Sequence, residues 1–342
     1  MPYHYLGKSG LKVSRLALGT MIFGGVVEEA SAQGLIRQAK ADGVNFIDTA
    51  DVYQKGRSEE IVGRAIKQDR NDWVVATKFA GAFGEGPNQG GISRKWILET
   101  VDASLRRLGT DYIDLLYFHR AIFDAPLEEA VRAIGDLIQA GKVRYYGVSN
   151  FRGWRIARIH HLAQQNGIDP PIASQPLYNI VNRAAETEQL PAALAYGLGV
   201  VSYSPLARGV LTGKYRVDEP PEPGSRAERK DKRILEVEWR RESLELVAKL
   251  DRYARNKGTT IPELAIAWVL NNRAVNSLIA GPRTPEQWRT YVKALSYVFT
   301  PEDEAVIDSL VAPGHASTPG FTDPSHPVEG RYAVIPAPPS LR

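Results

Sequence analysis

The sequence of 342 residues contains no cysteine. This absence excludes disulfide frameworks, thiolate nucleophiles and cysteine-ligated metals, so any catalysis must use oxygen groups, nitrogen groups or a cofactor. The chain also lacks an apolar run long enough to span a bilayer, and its first residues lack the basic and apolar regions of a secretory signal. We therefore expect a cytoplasmic protein with no membrane segment.

Neither sign of charge dominates the chain. Lys and Arg total 43 and Asp and Glu total 39, which gives a formal net charge of +4, and the two signs are interleaved. The densest basic cluster, at 226–233, follows a stretch rich in proline and glycine and is better interpreted as a solvated loop than as a nucleic-acid surface. Its charge still favours a phosphate-bearing small molecule nearby. We expect a small-molecule partner and no nucleic acid, and the oligomeric state is left open.

Short β-branched or apolar runs alternate with longer amphipathic segments from residue 15 to about residue 297. This alternation is typical of repeated βα units. Eight is the number of strands in a closed barrel, and no linker interrupts the pattern, so it favours one α/β protein with a (β/α)8 TIM barrel over two domains. The predicted strands lie near 15–19, 44–48, 73–77, 113–118, 143–148, 172–175, 199–203 and 275–279.

Turn and cap signals support the helices between these strands. Segments 29–43, 93–108 and 126–140 each end at or just before a glycine, and Ser93 is a candidate N-cap. A small hairpin is predicted ahead of the barrel, within 3–13.

Two segments depart from the repeat. The segment 204–240, after the seventh strand, is too long for an ordinary βα connection and would lie over the C-terminal face of the barrel, where it can cover a ligand. The segment 312–342 is rich in proline and glycine and is expected to be an irregular tail. We expect residues 1–342 to form a single domain with its core at about 15–311.

The stretch 45–53 is an apolar strand that ends in polar groups. Its Asp48 can orient a neighbouring cation, and its Tyr53 carries a phenol that can deliver a proton. Taken alone, an Asp that caps a turn and a half-buried Tyr explain these residues equally well.

The ends of the next two strands add Lys78 and His119 to this pair. Functional groups of a barrel lie at the C-terminal ends of the strands, so the four side chains are expected to meet. A lysine beside a phenol lowers the pKa of the phenol, an aspartate holds that lysine charged, and a histidine can donate to a substrate carbonyl. Each residue alone could serve packing only, but their joint placement favours catalysis.

The later strand ends carry groups suited to a nicotinamide cofactor. Ser149, Asn150 and Gln175 offer donors and acceptors for a planar carboxamide, and Tyr203 offers an aromatic face. No G-x-G-x-x-G follows a strand, so a Rossmann mode of binding is not indicated. Further groups could meet phosphates and an adenosine, helped by amide donors at the start of a helix at 285–297: Gly209, Leu211, Gly213, Lys214, Gly281, Arg283 and Gln287.

These motifs together resemble the aldo-keto reductase superfamily, over about residues 5–310. Ser204-Pro205-Leu206, followed by Gly209-x-Leu211-Thr212-Gly213-Lys214, is similar to the branch of bacterial general reductases and potassium-channel β-subunits. The ordered motifs lie at 18–24, 45–53, 76–78, 111–120, 147–151, 175–179 and 203–215.

The resemblance implies reversible, NADPH-dependent reduction of aldehydes or ketones, with NADH as the alternative cofactor. Tyr53 would be the general acid, Lys78 and Asp48 would tune its pKa, and His119 would orient the carbonyl while the nicotinamide delivers a hydride. The implied cofactor site comprises Gly19, Thr20, Asp48, Ser149, Asn150, Gln175, Tyr203, Ser204, Pro205, Leu206, Gly209, Leu211, Lys214, Gly281, Arg283 and Gln287.

The adenosine end departs from the pattern of the family. Many relatives carry an acidic or amide pair after the glutamine of this helix, whereas here Gln287 is followed by Trp288 and Arg289. Arg283 is still placed to meet a 2′-phosphate, which favours NADP over NAD.

The substrate pocket is predicted to be roomy, apolar and rich in aromatic side chains. A cofactor-binding regulatory protein of the channel β-subunit type, with slow turnover, remains the alternative to an enzyme. A metal-dependent hydrolase is disfavoured because His119 has no histidine or carboxylate at ligand spacing, and no metal is expected. The predicted lining comprises Met21, Phe23, Tyr53, Phe79, Phe83, His119, Phe123 and Trp154.

Overall fold

The computed structural model describes residues 1–326. Eight parallel strands form a closed barrel in which strands that follow one another along the chain are paired and the last strand pairs with the first, which confirms the predicted (β/α)8 fold. A separate two-stranded hairpin precedes the barrel, as expected. The strands are β1 Tyr3–Tyr5, β2 Lys12–Ser14, β3 Leu16–Gly19, β4 Phe46–Asp48, β5 Val74–Phe79, β6 Ile113–Phe118, β7 Val143–Ser149, β8 Ala173–Gln175, β9 Gly199–Ser202 and β10 Val275–Ala280.

Helices surround the barrel and follow the predicted segments with slightly shorter bounds. The Ser93 hydroxyl accepts a hydrogen bond from the Trp96 amide at 3.3 Å, as expected of an N-cap. The helices are α1 Glu29–Ala41, α2 Arg57–Ile66, α3 Arg94–Leu108, α4 Leu127–Gln139, α5 Gly153–Gln165, α6 Gln189–Tyr196, α7 Lys232–Val237, α8 Arg241–Asn256, α9 Ile261–Asn271, α10 Pro285–Ala294 and α11 Pro301–Leu310.

Alternate residues of each barrel strand point to opposite sides. In β5, Val74 and Ala76 pack inside the barrel, whereas Val75 and Phe79 join the apolar layer between strands and helices. Because successive side chains of a strand alternate, Lys78 shares the inward direction of Val74 and Ala76. In other strands the same alternation places an inward-pointing residue at the C-terminal end or directly after it. These residues are Gly19, Asp48, His119, Ser149, Gln175 and Tyr203.

The barrel closes between its first and last strands. β10 pairs with β3 through Leu278 opposite Leu16. The Arg15 guanidinium donates to the Val275 carbonyl at 2.5 Å and also to the Leu270 carbonyl. Contacts between residues about 260 positions apart therefore complete the cylinder.

The hairpin covers the N-terminal end of the barrel. Gly7 has φ of 58°, and a Cβ there would lie 2.4 Å from the Gly197 oxygen and the Gly199 nitrogen. Only glycine permits this backbone to approach so closely. Because Gly199 begins β9, the hairpin lies at the end of the barrel opposite the C-terminal strand ends.

The segment after β9 lies over the C-terminal end, as predicted. It contains a 3₁₀ segment at Ala207–Thr212 and the short helix α7. The described tail, 312–326, is irregular apart from a bridge between Ala316 and Asn182. Arg233 of α7 holds this tail through both oxygens of Asp323.

Residues 327–342 of the predicted tail lie outside the described residues. Among residues 1–326, no helix is both long and apolar enough to cross a membrane.

Candidate active site

Four polar side chains meet at the inner end of a cavity on the C-terminal face. The Lys78 ammonium donates to Asp48 Oδ1 at 2.5 Å, to the Thr49 carbonyl at 2.8 Å and to Tyr53 Oη at 3.3 Å. The His119 ring lies edge-on to the Tyr53 ring, with 5.7 Å between centroids. The predicted strand-end residues are therefore brought together, with Lys78 as their buried centre.

A tight turn after β4 presents the Tyr53 hydroxyl to the cavity. The Tyr53 amide donates to the Ala50 carbonyl at 3.1 Å, and a 3₁₀ segment follows at Tyr53–Gly56. Gln54 and Lys55 hold positive φ angles of 49° and 54° in this turn. Two consecutive residues in the left-handed region are strained, a feature that is common at functional sites.

Burial governs the ionisation of Tyr53. It raises the pKa of the phenol above the ordinary value of 10.0, and the neighbouring Lys78 charge offsets only part of this effect. The expected net lowering of the Tyr53 pKa is therefore not found. Because the cost of burying a phenolate exceeds the gain from one ammonium, the phenol keeps its proton at neutral pH.

Lys78 is charged in the folded protein, whereas His119 is neutral. Burial lowers the pKa of Lys78, but the charges of Asp48 and Tyr53 and the hydrogen bonds with them together outweigh burial and raise the pKa above 10.5. Burial, reinforced by the charges of Lys78 and Arg120, lowers the pKa of His119 to about 3. The site thus holds a charged lysine beside a neutral imidazole, which can donate a hydrogen bond but carries no charge.

Gln175 links this centre to the next group of residues. Its side-chain amide donates to the second Asp48 oxygen at 2.8 Å, and its backbone carbonyl accepts from Ser149 Oγ at 2.8 Å. Tyr117, fully buried beneath it, has no hydrogen-bond partner for its hydroxyl among the described residues. Sequence reasoning missed Tyr117, although its inward position two residues before His119 is a usable signal.

The predicted nicotinamide residues form one connected group. Tyr203 Oη donates to Asn150 Oδ1 at 2.8 Å, and Asn150 Nδ2 donates to the His119 carbonyl at 3.0 Å and to Ser149 Oγ at 3.1 Å. Asn150 has a positive φ of 59°. These bonds hold the Tyr203 ring at the wall of the cavity, beside the four-residue centre.

The cavity has a volume of about 1480 Å³, larger than the roughly 300–1,000 Å³ typical of small-molecule sites. Its wall offers a hydroxyl and carboxamides for hydrogen bonds, an aromatic face for stacking, and several cations. These groups suit a dinucleotide with phosphates. Of the sixteen residues predicted to bind the cofactor, fifteen line it. The exception is Leu211, which is fully buried in the apolar core, and Gly213, predicted separately to meet the phosphates or the adenosine, is also absent from the wall.

Arg283, which also lines the cavity, connects two segments of its wall. Its guanidinium donates to the Gly224 carbonyl at 3.1 Å, which connects the segment after β9 to the start of α10. The Arg283 amide donates to Gln287 Oε1 at 2.8 Å. Gly209 leaves room for Lys214, whose Cε would be only 3.3 Å from a Cβ at that glycine.

Two further cations line the cavity and were not predicted individually. Arg208 is paired with the buried Glu238, and Arg226 is half-buried, 3.5 Å from Asp231. Burial and the nearby Arg208 lower the pKa of Arg226. The basic cluster at 226–233 was the available signal, and its preferred interpretation as a solvated loop misses Arg226.

The predicted aromatic lining is largely absent. Phe23 and Phe79 are buried in the core, and Phe79 packs on Phe118 with 4.6 Å between ring centroids. Trp154 and Phe83 are exposed at 44% and 40% and lie outside the cavity wall.

Of the predicted substrate residues, the wall includes Tyr53, His119, Met21 and Phe123. Alongside them are the cations Arg120, Arg152 and Arg155. The pocket is therefore roomy, as predicted, but basic rather than aromatic. Among residues 1–326, no group of three or more histidines and carboxylates could hold a metal ion.

Comparison with known proteins extends over nearly the whole chain. A model of the aldo/keto reductase family matches residues 15–312. A putative voltage-gated potassium channel subunit beta of Schizosaccharomyces pombe is 39% identical over 323 residues, covering 91% of this chain and 93% of the relative. Probable channel subunits beta of Oryza sativa subsp. japonica and Arabidopsis thaliana are each 39% identical, covering 91% and 87% of this chain and 96% and 92% of the relatives.

Proposed function

The chain belongs to the aldo/keto reductase family, and we propose that it is an NADPH-dependent oxidoreductase that interconverts an aldehyde or ketone and the corresponding alcohol. The observation that carries the proposal is the Lys78 ammonium, which contacts both the Asp48 carboxylate and the Tyr53 hydroxyl at the inner end of the cavity. This arrangement joins a proton donor to a buried charge that can stabilise its conjugate base.

The residues of the cavity fit a nicotinamide dinucleotide. Ser149, Asn150 and Gln175 would hold the carboxamide, and Tyr203 would lie against the ring. Arg283 and Lys214 would meet the phosphates. When bound, the cofactor would supply the hydride that adds to the carbonyl carbon.

Tyr53 would supply the proton. Its raised pKa keeps the hydroxyl protonated before reaction. The phenol proton would pass to the carbonyl oxygen, and the phenolate left behind would be stabilised by the Lys78 ammonium 3.3 Å away. Neutral His119 would donate a hydrogen bond to the same carbonyl oxygen and orient it.

Tyr53→Phe tests the proposal because it removes the proton donor and little else. We expect NADPH binding to stay close to wild type, whereas kcat falls by about two to four orders of magnitude. Stopped-flow absorbance of bound NADPH during reaction with a panel of aldehydes measures both steps. Tyr112→Phe is the matched control, since the Tyr112 hydroxyl contacts Asn71 at the opposite end of β6. Full activity of Tyr53→Phe would remove Tyr53 from the proton-donor role.

A regulatory protein of the channel β-subunit type is the second candidate. It is supported by the relatives from Schizosaccharomyces pombe, Oryza sativa and Arabidopsis thaliana, which are described as putative or probable channel subunits beta. In that case cofactor occupancy would control a partner, with slow turnover. Tight NADPH binding without oxidation by any carbonyl in the panel would favour this candidate over the enzyme.

We also propose that residues 1–342 act as one domain. The support is the packing of the described tail against the barrel, through Arg183 to the His315 carbonyl at 2.9 Å and through Arg233 to Asp323. Limited proteolysis that released a stable fragment ending before residue 312 would contradict this.

A further inference from the structure

The cavity has more positive charge than the proposed cofactor accounts for. Arg208, Lys214, Arg226 and Arg283 lie at the β9 and β10 side, where the phosphates of a dinucleotide would be held. A second set of cations, Arg120, Arg152 and Arg155, lines the opposite side, on the segments that follow β6 and β7. This second set lies on the same side as His119, where the carbonyl substrate would enter.

Negative charge on this side is small. The acidic side chains among the described lining residues are Asp48 and Asp124. Asp48 is neutralised by Lys78. Asp124, on the segment after β6, is exposed. A cleft lined mainly by one sign of charge concentrates ligands of the opposite sign.

Two of the three arginines have structural contacts. Arg152 donates to the His326 carbonyl at 3.2 Å and lies 3.6 Å from Glu188. Arg155 donates to the Ile122 carbonyl and lies over the Phe123 ring, 4.4 Å from its centroid. These contacts fix the wall of the cavity, and neither residue needs to be free for the argument that follows.

Arg120 is different. It is an exposed residue that lines the cavity, and among residues 1–326 no carboxylate lies within ion-pair distance of it. Its charge contributes to the lowered pKa of His119, so the guanidinium lies within electrostatic range of the imidazole. A guanidinium in this place can bind two oxygens of one anionic group at the same time.

We propose that the carbonyl substrate carries an anionic oxygen group, a carboxylate or a phosphate, and that Arg120 binds this group while His119 and Tyr53 contact the carbonyl oxygen. The inference rests on the proposed carbonyl-reductase function and names the class of substrate for it.

Matched pairs of aldehydes test the charge requirement. The first pair is 4-carboxybenzaldehyde and methyl 4-formylbenzoate, which differ mainly in the charge of one substituent. The second pair is glyceraldehyde 3-phosphate and glyceraldehyde, which tests phosphate separately. We expect kcat/KM to be at least about tenfold higher for the anionic member of one or both pairs, as one charge-assisted hydrogen bond would provide.

Arg120→Gln should remove this preference by lowering kcat/KM for the anionic aldehyde about tenfold while changing the neutral one little. Arg120→Lys should retain part of the preference, since the lysine ammonium keeps the positive charge but lacks the planar pair of donors of the guanidinium. Arg106→Gln is the control for net charge, because Arg106 is exposed in the last turn of α3, at the N-terminal end of the strands. The preference in wild type should also weaken as salt is raised from 0.05 to 0.5 M, given a screening length of about 10 Å at 0.1 M.

The outcomes separate this inference from the function on which it rests. Equal or better turnover of both neutral aldehydes would overturn the inference and leave the proposed reductase intact. An equal loss for charged and neutral substrates in Arg120→Gln would assign Arg120 a structural role and also overturn it. Failure of every aldehyde to oxidise bound NADPH would reject both the reductase and the inference.

Discussion

Lys78→Met should be among the most destabilising single substitutions in the site. The side chains of Lys78 and Asp48 are exposed at 0% and 3%, so both charges are removed from water and depend on each other. Methionine has a similar length and no charge. The substitution therefore leaves the apolar packing of the side chain nearly intact while removing three donated hydrogen bonds, to Asp48, Thr49 and Tyr53.

The magnitude follows from what is left behind. Asp48 would retain the Gln175 amide at 2.8 Å but would lose its counter-charge. Breaking a buried ion pair on one side costs about 3–5 kcal/mol of the free energy of unfolding. Replacing both members relieves the uncompensated charge, so Lys78→Met combined with Asp48→Asn should be more stable than Lys78→Met alone. Activity should stay low in both, since the ammonium beside Tyr53 is absent.

Urea unfolding measured by tryptophan fluorescence gives these free energies. Lys95→Met is the control, because Lys95 is 67% exposed and its pair with Glu99 on α3 is worth little. Because the pKa of Lys78 in the folded protein is raised above the unfolded value of 10.5, Lys78 stays charged in the folded protein at every pH up to 10.5. Its contribution is therefore fully present below pH 10.5 and is lost as pH rises through the higher folded value, so the cost of Lys78→Met should be constant between pH 6 and 9. A cost below about 1 kcal/mol, or a double variant less stable than the single one, would refute this reasoning.

Two further predictions concern His119 and Arg283. The pKa of His119 is lowered from 6.5 to about 3 in the folded protein. As the pH falls, the imidazole therefore takes up a proton in the unfolded chain at a higher pH than in the folded protein. The free energy of unfolding should fall by up to about 1.4 kcal/mol per pH unit as the pH drops below 6.5. His119→Gln should flatten that slope in urea titrations at pH 4.5 to 7, and an unchanged slope would show that other groups cause it. Arg283→Ala should weaken NADPH binding by about tenfold or more and NADH binding much less, as fluorescence titration would measure. An unchanged preference would remove Arg283 from the 2′-phosphate assignment.

The barrel could be predicted from the sequence because its strands are short and buried and alternate with amphipathic helical segments. In β5, all six residues are buried, and the strand begins with three consecutive apolar residues, 74–76, as is typical of a parallel strand. The side of the strand on which a residue lies is harder to predict at the strand end. β5 continues through Phe79, one residue beyond Lys78, so Phe79 points to the outer layer and cannot meet the substrate.

The lining of the pocket depends on contacts that the sequence does not reveal. Trp154 lies at the second position of α5 and is 44% exposed, whereas Arg155, one residue later, is buried. Which of two neighbouring helical residues faces the cavity depends on how the whole helix is rotated against the barrel. The direction of the pKa shift of Tyr53 could not be predicted for a similar reason, since it depends on the balance between burial, which raises the pKa, and the Lys78 ammonium, which lowers it.

The closure of β10 against β3 has a consequence for the synthesis of the chain. The four residues Asp48, Tyr53, Lys78 and His119 all lie within the first 119 residues of the chain. The acceptors of the Arg15 guanidinium, at Leu270, Val275 and Asn276, are made much later. Until β10 is made, the sheet is open and exposes the edges of β3 and β9, and such edges bind other chains. Nascent chains stalled before residue 280 should therefore depend on chaperones, although the catalytic side chains have already been made.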